Sequence, residues 1–471
     1  LWAEDETVGW IYQYWNVRSE IDQARGESRA PRNSREMAVR NQFFTPRYVV
    51  EFLTDNTVGK TWYEMQQGQT SIIERCDYLV VDNKAVFLQK DEQLTAEQAA
   101  SEIQYIPYRP AKDPRCLRVI DPACGSGHFL LYVFDLLISI YEEAWEKEPS
   151  EGWAVRESFL PLKQSYQSYA EYQQAIPALI IAHNLYGIDI DSRAIQIAGL
   201  AVWLRGQRYW NDVGVKQGER PTITRSNLIC AEPLNFEPEQ LAAYKAKLPI
   251  GQSNLLTELL GIIADKMSLA GEMGILLKLE KDVRRALDQV EQEFKQYQKS
   301  EIQDDLFGRE HIDQQLNLSF SVQGLNSQFF VGAEKQLMQT LTGFLNESDA
   351  TSAFKNKLFA DDVAHSLAFI DLMKLRFDAI VMNPPFGKPS VDSEAYMETN
   401  YPDNSSDVYQ AFVDRGQELL VPTGFLGAIT SRTGFFLGSF EDWRNRVVLK
   451  RFRPILLADF GEHVLDAMVE T

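Results

Sequence analysis

The chain has 471 residues, 45% of them hydrophobic, enough for a sizeable core and for several domain-sized units. Four scattered cysteines without a CxxC pair exclude a disulfide framework, and five histidines without a ligand-like pairing argue against a transition metal. The formal charge of −20 argues against a phosphate-rich partner, but screening within about 8 Å makes local patches count for more than the total.

No run of about eighteen apolar residues appears, so no membrane span is expected. The start at Leu1 carries no signal pattern, and with the sparse cysteines this predicts a reduced, cytoplasmic protein. The missing initial Met and the stop at Thr471 read as a piece of a longer protein.

Residues 8–17 are apolar and aromatic and are expected to pack as a helix. An arginine-rich arm follows, with Arg25, Arg29, Arg32, Arg35, Arg40 and Arg47 against only Glu27 and Glu36. Phe44-Thr45-Pro46 then opens a helix, Thr45 as its N-cap and Pro46 in its first turn. Two apolar runs around Asp82-Asn83 suggest a peripheral hairpin.

From residue 117 the pattern becomes strand, glycine loop, long helix. A short buried strand at 117–120 leads into Asp121-Pro122-Ala123-Cys124-Gly125-Ser126-Gly127, and a helix follows. Residues 146–165 read as a loop, and a helix begins near Pro177. A second strand ends at Asp189, and the next helix begins at Ser192 under an Asp191 cap. A third strand is expected over 221–229.

The alternation stops from about 235 to 372. There Leu276, Leu279, Val283, Ala286, Val290, Phe294 and Tyr297 recur at steps of three and four, a helical insertion. Its apolar stripe is expected to pack on the parent domain, a partner surface being the alternative. The rhythm resumes with strand 377–382, the sequence Asn383-Pro384-Pro385-Phe386, and a loop over 387–406. Helix 407–420, a strand at 424–430, a helix near 438–448 and a strand at 454–460 complete it. A second basic run holds Arg444, Arg446, Lys450, Arg451 and Arg453 without an acid. The fold class is therefore α/β, a Rossmann-like, doubly wound, mostly parallel sheet. The units are 1–42, an N-terminal helical segment and arm; 43–234 and 373–471, the two parts of one α/β domain; and 235–372, the insertion.

Three positions carry the chemistry. Glycines after a strand let a ligand approach the backbone at a helix N-terminus, and this loop matches neither GxGxxG nor the P-loop. Asp121 at the strand end suits a ligand with an ammonium group, and Asp189 suits ribose hydroxyls. Two prolines after Asn383 fix the backbone, remove two N–H donors and leave a carbonyl free to accept. An aromatic amine such as adenine N6 is a poor nucleophile because its lone pair is delocalised. Accepting both its hydrogens, on the Asn383 side chain and a proline carbonyl, localises that pair without a metal or a general base. Phe386 would stack on a base flipped out of a duplex.

With these motifs in this order, the sequence resembles the gamma class of N6-adenine DNA methyltransferases of bacterial restriction-modification and phage-defence systems. Among them it is most similar to type IIG enzymes and to the PglX methyltransferases of BREX phage exclusion. The resemblance covers about 40–230 and 375–460 and implies a seven-stranded sheet with S-adenosyl-L-methionine at the C-terminal strand edge. It implies that Phe44, Thr45, Asp121, Pro122, Ala123, Cys124, Gly125 and Gly127 line the methionine part. Asp189 and Ile190 would meet the ribose, Glu232 the cofactor's adenine, and Asn383, Pro384, Pro385 and Phe386 the target base. Double-stranded DNA is the implied substrate, with protein partners from a defence system. No nuclease cluster of acids and lysine is apparent, which favours methylation alone. Two other functions stay open: an amino-methyltransferase for RNA or protein glutamine, and a non-catalytic DNA- or partner-binding subunit that has kept the fold.

Overall fold

The computed structural model describes residues 45–461 except 100–102, 150–151, 154–158, 224–225, 236–237, 248–252, 282–284, 286–349 and 405–406. Gly26, Pro31, Arg32, Glu36 and Val464 are described as well. The expected helix at 8–17, Phe44, most of the arginine-rich arm and the apolar repeat from Val283 to Tyr297 lie outside these residues. The chain forms two units, Leu1–Cys230 with Arg376–Thr471, and Ala231–Leu375. In the second, the longer described elements are helices, Pro238–Lys247, Ser253–Met267 and Ala350–Lys374. No helix among the described residues is long and apolar enough to cross a membrane.

The first unit is built on a parallel sheet of five strands: β3 (Val119–Asp121), β4 (Leu185–Asp189), β5 (Asn227–Cys230), β6 (Phe377–Met382) and β7 (Leu420–Ala428). A separate pair, β1 (Val86–Phe87) and β2 (Tyr105–Ile106), precedes it. β3 and β6 are buried along their whole length, as parallel strands covered on both faces must be. Their order is β5-β4-β3-β6-β7. The chain therefore steps outward from β3 through β4 to β5, then returns to the other side of β3. Val119 and Ile120 pair there with Ala379 and Ile380. Such a reversal opens a crevice beyond the C-terminal strand ends, because the connections on its two sides leave in opposite directions. Both sequence motifs, after Asp121 and after Met382, emerge at that crevice.

Helices pack against the sheet. α1 (Arg47–Thr54) and α2 (Lys60–Met65) are joined by a π-helical turn, Asp55–Gly59. The turn is held from outside: Tyr132 donates to buried Asp55 at 2.8 Å, and the Tyr78 amide donates to its other oxygen at 3.0 Å. α3 (His128–Lys147) and α5 (Ser192–Asp212) follow β3 and β4. Between them, α4 (Tyr169–His183) begins under a Ser168 cap, eight residues before the expected start, and carries Pro177 inside it. α6 (Val408–Leu419) is capped by Asp407.

Several expected elements differ. No hairpin forms at Asp82-Asn83; side chains of the π turn and α2 occupy the backbone there. Asn56 donates to the Tyr78 carbonyl and accepts from the Val80 amide, and Lys60 donates to the Val80 carbonyl. Val86–Phe87 pairs instead with Tyr105–Ile106, in parallel. The strand expected at 454–460 is absent: Pro454 has no N–H to offer, Ile455, Leu456 and Leu457 are exposed, and no ladder reaches them. The main sheet thus has five described strands where the resemblance implies seven. The loop over 387–406 contains a helix, Glu394–Asn400.

Candidate active site

The Asp121 loop is tied to both neighbouring strands. The Cys124 amide donates to the Ile188 carbonyl of β4 at 2.9 Å, and the Ala123 amide donates to the Asp121 carboxylate at 3.1 Å. Gly127 has φ +91° at the start of α3, and a Cβ there would lie 3.1 Å from the Ala198 Cβ of α5. Only glycine allows the loop to turn that sharply while the two helices touch. Gly125, at φ +51°, has open space where a Cβ would stand. The glycine that faces open space and the glycine that faces a neighbouring helix are therefore different residues.

Asp189 closes the loop from β4. One of its carboxylate oxygens accepts from the Gly125 amide at 2.8 Å and the other from the Asp191 amide at 2.9 Å. Burial raises its pKa to about 6, only partly offset by these donors. Asp121, 1% exposed, is pushed well above the usual carboxylate range, first by burial and further by Asp189. The Cys124 thiol is raised by burial and by the same two acids, which makes it an inert core group. Buried Asp121 and half-buried Asp189, neighbours at a helix N-terminus, form a site suited to a ligand bearing both a cation and hydroxyl donors. Ile190 is half-buried and follows Asp189. Asp191 caps α5 by accepting from the Arg193 amide.

The Asn383 loop lies across β3 from Asp189. Asn383 Nδ2 donates to the Thr45 hydroxyl at 3.0 Å. Thr45 is therefore no N-cap: Pro46 occupies that position, and no side chain caps α1. The Asn383 Oδ1 is buried and has no hydrogen-bond partner among the described residues. A buried acceptor left unpaired costs about 1–3 kcal/mol, so such an atom in a crevice marks a place for a donor. Pro384 is buried, while Pro385 and Phe386 are half-buried.

The end of the loop is clamped to α6 through residues that sequence reasoning did not single out. The Gly387 amide donates to the Asp407 carboxylate and the Val408 amide donates back to the Gly387 carbonyl, each at 2.8 Å. The cap signal of Asp407 before an amphipathic helix was visible, but its second partner was not. Beyond it, the ring of Phe386 lies 5.7 Å from that of Tyr409, and Tyr409 lies 5.7 Å from Trp443. Among the described residues, no group of three or more His, Cys, Asp or Glu could hold a metal ion.

The basic run at 443–453 is less bare than its sequence suggests. Arg444 donates to the Gly434 and Leu437 carbonyls, Arg446 pairs with Asp403, and Arg451 pairs with Asp414. Asp403 and Asp414, distant in sequence, supply countercharge, and Asp442, beside the run, lies 3.4 Å from Arg446. Of the remaining expected residues, Glu232 is exposed two positions after β5 and belongs to the second unit.

Residues 183–464 match the family described as Eco57I restriction-modification methylase, and 111–237 match the MmeI DNA-methyltransferase domain. The chain is 24% identical over 450 residues to the adenine-specific methyltransferase BrxX of Escherichia coli O9:H4 (strain HS), covering 94% of this chain and 30% of BrxX. It is 24% identical over 453 residues to the adenine-specific methyltransferase PglX of Lacticaseibacillus casei (strain Zhang), covering 94% and 29%. The chain thus spans less than a third of the length of these relatives. With the matched region running from the start of β4 past the Asn383 loop, the chain belongs to the Eco57I restriction-modification methylase family.

Proposed function

We propose that this chain carries the catalytic domain of an S-adenosyl-L-methionine-dependent methyltransferase that modifies N6 of adenine in DNA. The observation that carries the reading is the buried, unpaired Asn383 Oδ1 at the sheet reversal, beside the Asp121–Asp189 acid pair. The two relatives bear adenine-specific methyltransferase in their names, which agrees with it.

The residues present fit the cofactor. The open side of Gly125 admits a ligand against the backbone, and Asp121 supplies a buried carboxylate for its ammonium group. A carboxylate can accept about four hydrogen bonds, so Asp189 keeps capacity for ribose hydroxyls beside its amide donors. When bound, the cofactor supplies an electrophilic methyl group. Asn383 Oδ1 accepts one hydrogen of the target amine and a proline carbonyl the other, which concentrates the lone pair on N6. Methyl transfer would form the nitrogen–carbon bond as the carbon–sulfur bond of the sulfonium breaks and a neutral thioether leaves, and the surplus proton of the amine would pass to water. No residue need act as a base beforehand, since positioning and fixed dipoles supply the activation. Phe386, held by the Gly387–Asp407 clamp, stacks on the extruded base.

The finer readings rest on family resemblance: a seven-stranded sheet, a cytoplasmic enzyme, a role in phage defence, and protein partners from the same system. The deciding experiment gives the full-length protein labelled cofactor with unmethylated DNA, RNA and protein separately. Labelled N6-methyladenine in DNA is expected, and Asn383→Ala should abolish it while cofactor affinity persists. Label entering only RNA or glutamine would replace the substrate, and cofactor binding without transfer would indicate a non-catalytic subunit.

A further inference from the structure

After β7 the chain makes one helical turn, Thr433–Phe436, at the C-terminal strand edge where the Asn383 loop also emerges. Two large apolar side chains stand out from it, Phe436 at 71% exposure and Leu437 at 50%. Single exposed apolar residues are ordinary, but this adjacent pair sits on a braced backbone. Arg444 donates to the Gly434 carbonyl at 2.9 Å and to the Leu437 carbonyl at 2.6 Å, bridging the turn. The Ser431 and Thr433 hydroxyls share a 2.7 Å hydrogen bond at its start. Beneath it, Phe435 packs on buried Trp443 at 5.7 Å, and Trp443 on Tyr409 at the same distance. With the Phe386–Tyr409 contact, these rings form a continuous support from the target loop to the exposed turn.

Cations accompany the apolar tip. The Arg432 guanidinium stands 5.6 Å over the Phe436 ring while pairing with Asp459 at 3.4 Å, and Arg453, with the Asp414-paired Arg451, lines a groove that includes Phe435. An extruded base leaves a gap in the stack that costs a few kcal/mol, and apolar side chains inserted at such steps offset that cost. A flat ring with a guanidinium on its face suits insertion beside phosphates. The geometry points to Phe436, supported by Leu437, as the wedge that enters the duplex at the step vacated by the target adenine. This inference rests on the adenine reading above and names the surface that makes the base available.

The test uses the full-length protein and duplex oligonucleotides containing the sequence mapped by modification-sensitive sequencing of host DNA. In one duplex the target adenine is paired; in the other it faces an abasic position, so that part of the extrusion cost is already met. Phe436→Ala should lower kcat/KM on the paired duplex by about tenfold or more and leave the abasic duplex nearly unchanged. Phe436→Trp should retain most activity on both. Fluorescent aminopurine at the target position should brighten with the native protein and stay dim with Phe436→Ala. Equal losses on the two duplexes, or no loss, would overturn the assignment. So would a lowered thermal midpoint with an unchanged paired-to-abasic ratio, which would give the turn to a protein contact. Failure of the native protein to methylate either duplex would instead sink the adenine reading itself.

Discussion

Thr45 and Asn383, 338 residues apart, share a 3.0 Å hydrogen bond in which the amide donates and the hydroxyl accepts. With Nδ2 committed to Thr45, the amide plane is fixed and Oδ1 is the atom left to meet a ligand. Thr45 thus orients the proposed amine acceptor, a different task from the cofactor contact that resemblance implies. Thr45→Val keeps the shape and removes the acceptor. It should reduce kcat by about tenfold to a hundredfold through loss of orientation, with little change in cofactor affinity. Thr45→Ser should recover most of the rate. A variant that weakens cofactor binding and spares kcat, measured by calorimetry and single-turnover methylation, would return Thr45 to the cofactor.

Gly125 and Gly127 stand two residues apart, yet their alanine variants should fail in different ways. At Gly127 the left-handed backbone and the 3.1 Å approach to Ala198 act together, so Gly127→Ala should cost about 1–3 kcal/mol of stability. At Gly125 a methyl group meets no neighbour, and the backbone penalty alone is about 1–2 kcal/mol. That methyl would, however, enter the space assigned to the cofactor. Denaturant titrations should rank Gly127→Ala as the less stable variant, while cofactor titrations should rank Gly125→Ala as the weaker binder. The reverse order would place the cofactor elsewhere.

Sequence reasoning singled out the Asp121 and Asn383 loops because glycine, proline and acidic residues at strand ends have local meanings. The order of the motifs and the 377–382 strand followed from apolar runs bounded by those signals. Long-range pairings were not legible. Nothing near Thr45 points to Asn383, nothing near Gly387 points to Asp407, and Asp403 and Asp414, which pair with Arg446 and Arg451, lie on other segments. The expected hairpin at Asp82-Asn83 failed for the same reason. Its backbone groups are taken by Asn56 and Lys60, whose reach depends on the π turn and α2.

The half-buried acid Asp189 should make stability depend on pH. Its folded pKa is raised, by burial first, from 3.8 to about 6. The folded state therefore binds the proton more tightly than the unfolded one. The resulting stabilisation is fully present below about pH 4 and is lost as pH rises through about 6. Asp189→Asn removes this titration, so the difference in unfolding free energy between native protein and variant should change across that window and level off above it. A constant difference would show that Asp189 is ionised throughout. Cofactor affinity of the native protein should rise over the same interval, as the ionised carboxylate becomes the better acceptor for hydroxyl donors.

Asn184, fully buried just before β4, tests the scaffold rather than the chemistry. Its Oδ1 accepts from the Tyr141 hydroxyl at 2.7 Å, and its Nδ2 donates to the Pro114 and Leu117 carbonyls at 2.7 and 2.6 Å. One side chain thereby satisfies two carbonyls of the segment leading into β3 and one hydroxyl of α3. Asn184→Ala leaves the Leu117 carbonyl and the Tyr141 hydroxyl unpaired in a dry region, while the Pro114 carbonyl keeps the Leu117 amide at 3.0 Å, and should cost about 2–4 kcal/mol. Asn184→Asp has nearly the same shape but loses the donor, and it buries a charge against two carbonyl dipoles. It should be at least as destabilising near neutral pH and partly recover on acidification, when the protonated carboxyl can again donate. Because Asn184 sits at the strand end opposite the proposed site, the folded fraction of either variant should bind cofactor with native affinity. Loss of affinity in molecules shown to be folded by near-ultraviolet circular dichroism would mean that β4 register, and with it Asp189, depends on this side chain.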